Sequence, residues 1–137
     1  MQSLQREIIN PSSIHAPIGY THVTIPKGNK IVFIAGQVAW DKNLQVVEVG
    51  DLTKQTDMVY QNIEQALIEI GATWDHIAKT TIFTTQPHEY EIIGSVTARY
   101  FGDTPPPSQT IVGVMGLALP EFLIGSSNGG IKIVPCK

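Results

Sequence analysis

Cysteine is all but missing from this chain: Cys136, next to the last residue, is the only one among 137. A single cysteine excludes an intrachain disulfide and any multi-cysteine metal site, and it fits a reducing, cytoplasmic setting. Charge is scarce as well, with 15% charged residues and a net charge of -3. No basic run or stripe is available to meet a phosphate backbone, so nucleic acid is not an expected partner. The low charge also points to surface covered by partner subunits. No apolar run approaches the roughly 18 residues of a membrane span, and the opening MQSLQREIINPSS lacks the apolar core and small-residue cleavage site of a leader. A soluble, unprocessed protein without a membrane partner is expected. The chain also lacks a G-x-S-x-G elbow and any phosphate-cradling glycine loop, which removes serine-hydrolase and nucleotide readings. His15, His22, His76 and His88 fall in different loops and strands without i, i+4 pairing, so no metal is expected, and His22 reads as a strand-surface histidine.

What is present suits one domain over residues 1–137, long enough to bury about two-thirds of its unfolded surface. Arg6 to Ile9 reads as a short edge strand ended by Asn10-Pro11-Ser12. Residues 20–26, YTHVTIP, read as a strand, and Lys27-Gly28-Asn29-Lys30 as the turn of a hairpin into KIVFIAG. Ala35-Gly36-Gln37 closes that strand at a glycine suited to close approach of a ligand or another backbone.

Asp51 caps the longest periodic segment. Leu52, Val59, Ile63, Ala66, Leu67 and Ile70 share one helical face, and Gly71 stands where the helix should end. Asp57, Glu64 and Glu69 read as solvated charges on it. Residues 77–85, rich in β-branched side chains, predict another strand. Pro87 opens a second helix with Ile93, Val96, Tyr100 and Phe101 on one face, ending before Gly102-Asp103. Three prolines at 105–107 then lead into Ser108-Gln109-Thr110 and two apolar runs broken by Gly113, Gly116 and Pro120, read as two buried strands joined by a bend. With Ile131 to Val134 the order is β-β-β-α-β-α-β-β, an α+β layer with two helices on one face of a mixed sheet. The residues alone thus yield a soluble α+β domain whose Ser108-Gln109-Thr110 step is a plausible mouth for a small ligand.

The segments INPSS, HAPIGYTH, IVFIAGQVA, GDLTKQT and PPPSQTIVGV resemble, in order and spacing, the RidA/YjgF family, also called the L-PSP endoribonuclease or translation-inhibitor family. The resemblance implies a chorismate-mutase-like α+β fold and a homotrimer whose sheets form an inner barrel, with small-metabolite sites at the subunit interfaces. It implies hydrolysis of reactive enamines and imines to ammonia and a keto acid, without metal or cofactor. In that chemistry an arginine holds the substrate carboxylate and a glutamate positions water.

The family's Pro-x-Arg-Ser/Thr step matches Pro107-Ser108-Gln109-Thr110, so Gln109 stands where the arginine would be. A Val-Glu-x-Glu-Ala step matches Ile124-Gly125-Ser126-Ser127-Asn128, which sets Gly125 and Ser127 at the two acids. The Ser-Gly-Gln step appears as Ala35-Gly36-Gln37, an asparagine of the second helix as Gly94, and Tyr20 keeps the family's type. Losing the charge-assisted pair weakens carboxylate recognition by about 1.5 to 3 kcal/mol. The expected ligand site comprises Tyr20, Gly36, Gln109, Thr110, Gly125 and Ser127, suited to a ligand without a carboxylate. Two functions follow as expectations: a deaminase of altered specificity, or a non-catalytic ligand-binding trimer. A ribonuclease or translation inhibitor comes third, because no His/Glu or His/Lys constellation supports it.

Overall fold

The computed structural model of the protein describes residues 6–132. Eight principal elements follow in chain order: β1 (Arg6–Ile9), β2 (Val23–Pro26), β3 (Lys30–Val38), α1 (Leu52–Glu69), β4 (Ile77–Thr84), α2 (Tyr90–Phe101), β5 (Ser108–Gly113) and β6 (Ile124–Lys132). The order matches that expected from the sequence, with one correction: residues 117–123 of the second apolar run form turns and bends, and Ile124 and Ile131 belong to the same strand, β6. Val134 and Cys136 lie outside the described residues.

Local chemistry accounts for the helix ends. Asp51 Oδ1 accepts the Lys54 N–H at 3.0 Å and caps α1. Gly71 follows the last turn at φ +67°, a conformation that glycine takes without strain. Pro87 starts a short 3-10 turn that runs into α2, and Gly102, at φ +56°, ends that helix.

β1 and β2 form an antiparallel pair of their own, and the remaining strands form a second sheet in the order β3-β6-β4-β5. Two expectations are corrected here. The turn at 27–30 does not make a β2–β3 hairpin. β2 pairs with β1 and lodges against β4, where Thr24 Oγ1 donates to the Ala78 carbonyl at 2.6 Å, while β3 pairs with β6. The first of the two strands read as buried, β5, is instead at the margin of the sheet, because β4 lies between it and β6, parallel to β5 and antiparallel to β6. β5 is accordingly an edge strand and only half-buried, since one side of it has no neighbour.

Alternation along β4 divides the sheet into two faces. Thr80, Ile82 and Thr84 are fully buried. Together with Ile124 they lie under α1 and α2, where Val59, Tyr60, Ile63 and Leu67 of α1 and Ile93 and Phe101 of α2 complete the core. Two polar side chains in this layer are satisfied locally: Thr80 Oγ1 donates to Asn128 Oδ1 at 2.6 Å, and Gln55 Nε2 donates to the Glu121 carbonyl at 2.9 Å. The reverse face is open, with Phe33 84% and Ile31 65% exposed. Gly130 is required where β6 passes the end of β4, because a Cβ there would stand 1.8 Å from the His76 carbonyl oxygen.

Glu69 is exposed as expected, but Asp57 and Glu64 are not simply solvated. Tyr100 donates its hydroxyl to Asp57 Oδ1 at 2.5 Å, and Trp74 Nε1 donates to Glu64 Oε2 at 3.3 Å. These contacts lie along a cluster of stacked and tilted aromatic rings formed by Tyr60, Trp74, Tyr100 and Phe101.

Candidate functional site

Three proline carbonyls organise the site. Proline has no N–H to donate, but its carbonyl remains a full acceptor. Arg6, 1% exposed, donates to the Pro105 carbonyl and, at 3.2 Å, to that of Pro106. Its Nε donates to the Asp75 carbonyl at 3.0 Å, with the Asp75 carboxylate 3.6 Å away. Burial works against the guanidinium charge and lowers its pKa from the ordinary value, while Asp75 offsets part of that effect. The third carbonyl, of Pro107, accepts the Thr21 N–H at 3.0 Å. One buried cation and one backbone bond thus tie the segment before β2 to the start of β5, and Tyr20 comes to stand beside Gln109.

Gln109 pairs with Thr80 in the parallel register, which directs it to the helix-bearing face near Gly94 of α2. A cleft opens there in two lobes of about 610 and 650 Å³, both lined by Gly19, Tyr20, Gly94 and Gln109. Among the described residues no group hydrogen-bonds the Gln109 amide, so both its oxygen and its nitrogen can meet a ligand. Gly94 widens the cleft: a Cβ there would touch nothing within 4 Å. The larger lobe adds Tyr90, Glu91, Ser95 and Ile111, and Glu91 is the one ionised side chain among the described residues lining either lobe. The sequence singled out neither Glu91 nor Tyr90. Both lie in the first turn of α2, and nothing in a helical pattern marks an exposed first turn as a cleft wall.

The other expected site residues lie elsewhere in the chain. Thr110 and Ser127 emerge on the open face. There Lys79 Nζ donates to the Thr110 hydroxyl at 2.7 Å, and Ser127 borders a hollow of about 450 Å³ with Phe33 and Lys79. Gly36 sits exposed at a register shift in β3. Gly125 is buried under a loop, where a Cβ would meet Val38 Cγ1 at 3.4 Å and Leu117 Cδ2 at 3.8 Å. Within one chain, then, Tyr20 and Gln109 come together, and Gly36, Thr110, Gly125 and Ser127 do not join them.

The histidines are less dispersed than the sequence implied. His15 Nε2 lies 2.6 Å from the Tyr20 hydroxyl, and His22 Nε2 lies 2.8 Å from the His15 carbonyl. The turn at Pro17-Ile18-Gly19 folds this loop back on itself, with Gly19 at φ +73°. No group of three or more histidine, cysteine or acidic side chains able to hold a metal ion occurs among the described residues. None of the described helices is long and apolar enough to cross a membrane.

The fold and cleft define a small α+β protein with a mostly neutral candidate site at a sheet edge. The profile of the family described as Endoribonuclease L-PSP matches residues 11–125, and the chain belongs to this family, the RidA/YjgF family. It is 31% identical over 121 residues to the 3-aminoacrylate deaminase RutC of Acinetobacter baylyi, a match covering 88% of this chain and 94% of the relative. It is 27% identical over 103 residues to the mitochondrial protein MMF1 of Saccharomyces cerevisiae, covering 75% and 70%. The crystal structure of YyfB, a Rid-family protein of Yersinia pestis, superposes with a TM-score of 0.87 at 30% identity, covering 94% of this chain and all of that one. Membership supports a role at the family level, either imine or enamine deamination or small-molecule binding.

Proposed function

We propose that this protein hydrolyses small imines or enamines that carry no carboxylate, as a homotrimer whose subunit interfaces complete the cleft. The reading rests on one observation: Gln109 stands beside Tyr20 where the family resemblance calls for an arginine, and the described cleft lining carries one ionised side chain, the carboxylate of Glu91. Such a lining repels an anionic substrate. It suits a neutral imine, or its protonated iminium lying near Glu91 and the faces of Tyr20 and Tyr90.

The exposed Ile31 and Phe33, together with Lys79, Thr110 and Ser127, form the face offered to a second copy. In a trimer that face brings Thr110, Ser127 and Gly36 of one subunit to the cleft of its neighbour, with Gly125 behind them. The reaction takes water as its only co-substrate and releases ammonia and a carbonyl compound. Localisation in the cytoplasm is part of the same proposal.

A second reading, a non-catalytic ligand-binding trimer, is favoured by Gly125 and Ser127 at the positions of the family's acids. Ammonia release from imines made in place by an amine oxidase separates the two readings. Turnover supports the first. Stabilisation by a neutral ligand without turnover supports the second.

A further inference from the structure

The loop carrying Tyr20 is braced far beyond what a half-buried tyrosine at a cleft edge needs, since its hydroxyl could simply bond to water. His15 Nε2 is 2.6 Å from that hydroxyl. The His22 ring lies edge-on to both partners, 4.7 Å from the His15 ring and 5.4 Å from Tyr20. A carbonyl oxygen only accepts, so His22 carries its proton at Nε2 and donates it to the His15 backbone. His22 is itself fixed at two points. Its N–H donates to Asn10 Oδ1 at 2.8 Å, and its carbonyl accepts from Ser108 Oγ at 3.3 Å, one residue before Gln109. The imidazole of His15 therefore meets the one hydroxyl that both lobes of the cleft share.

We infer that His15 is a positioning residue that makes the Tyr20 hydroxyl the proton-transfer group of the site. The inference rests on the imine-hydrolysis reading and names the group that replaces the family's acids. With His15 protonated at Nδ1, Tyr20 donates to Nε2, and the lone pairs of its oxygen accept from a water in the cleft. The reacting species is the protonated imine: as the water oxygen bonds to the iminium carbon, the C=N π pair moves onto nitrogen and leaves a neutral amine. One water proton passes to the Tyr20 oxygen, and the tyrosine's own proton passes to His15 Nε2, so no charge remains on the phenol. The proton then returns through Tyr20 to the amine nitrogen of the carbinolamine. The C–N bond of the resulting ammonium breaks with its pair on nitrogen, ammonia leaves, and the hydroxyl proton passes through Tyr20 to His15 Nε2 and on to solvent, giving the carbonyl product.

The test compares wild type, His15→Ala, His15→Gln, Tyr20→Phe and the double variant His15→Ala/Tyr20→Phe, using a carboxylate-free imine generated by an amine oxidase. Loss of proton-transfer help is expected to lower kcat by about 100-fold in His15→Ala with KM unchanged. His15→Gln can still hydrogen-bond the hydroxyl but cannot accept a proton, and should be equally slow. The double variant should be no slower than Tyr20→Phe alone. Recovery of kcat in His15→Gln, or a raised KM with kcat intact in His15→Ala, would mean that His15 only clasps the loop and would overturn the inference. Should His15→Ala fail to fold, the His15→Gln result decides in its place. Wild-type protein that released no ammonia from any imine would overturn the hydrolysis reading and this inference together. An active wild type matched by active His15 variants would overturn the inference alone.

Discussion

Arg6 and Asp75 meet across 69 positions of sequence, with Arg6 Nε donating to the Asp75 carbonyl at 3.0 Å in a pocket where the arginine side chain is wholly buried. The same guanidinium holds the carbonyls of Pro105 and Pro106. Removing it leaves the carbonyls of Pro105, Pro106 and Asp75 without their donor. Arg6→Met is expected to cost about 2 to 4 kcal/mol, lowering Tm by on the order of 10 °C. Because Arg6 also sets the approach of Tyr20 to Gln109, ligand affinity should weaken at temperatures where the variant is still folded. Calorimetry and ligand titration on one sample check both. A Tm within a degree or two of wild type would show that this anchor does not hold the loop to the sheet.

Two phenols should make the fold sensitive to alkali. Burial raises the Tyr60 pKa, with Ser126 offsetting a little of it, and no described group meets its hydroxyl in hydrogen-bonding geometry. Burial also raises Tyr100, followed by its hydrogen bond to Asp57 and the charges of Asp57 and Glu64, with Arg99 opposing. A phenol whose pKa rises on folding contributes stability that is complete below its unfolded value of 10.0 and is lost as pH climbs through the folded value. Urea stability should therefore begin to fall above about pH 10, with a slope of about 1.4 kcal/mol per pH unit from Tyr60. Tyr60→Phe should flatten that fall. An equally steep decline in the variant would assign the alkaline loss to other groups.

The open sheet face tests the assembly. Phe33 is 84% exposed in one chain, so Phe33→Glu should change the stability of an isolated subunit by less than about 0.5 kcal/mol. A charge within an apolar subunit interface should nonetheless break it. Sedimentation equilibrium is expected to give a trimer for wild type and a monomer for Phe33→Glu. A trimeric variant would remove this face from the interface, and a monomeric wild type would remove the trimer altogether.

The sequence made the elements legible because their signals are local. Asp51 and Gly71 bound α1, Pro87 and Gly102 bound α2, and β-branched residues mark β4. Pairing was less legible, since it depends on contacts distant in sequence. Lys27-Gly28-Asn29-Lys30 has hairpin composition, yet the Thr24 contact with Ala78 and the β3–β6 register decided where β2 and β3 went. Arg6 does begin the short edge strand expected, but its anchoring role was not legible, because the Pro105 and Pro106 carbonyls lie 99 and 100 residues away. Within the site, Tyr20 and Gln109 could be named from the resemblance to a known family, and the structure joins them. Glu91 and the His15–Tyr20–His22 cluster could not be found that way, because turn residues in sequence do not show which way a loop folds back. Only the spacing of two histidines around one tyrosine hinted at it.

The most direct measurement of the central claim is the ratio of kcat/KM for ammonia release from two imines of matched size, one with and one without a carboxylate, in wild type and in Gln109→Arg. An arginine at this position adds a charge-assisted pair worth about 1.5 to 3 kcal/mol. Wild type is predicted to favour the carboxylate-free imine, and Gln109→Arg to shift the ratio toward the carboxylate by about 10- to 100-fold. A ratio unchanged by the substitution would contradict the assignment of Gln109 to the ligand site.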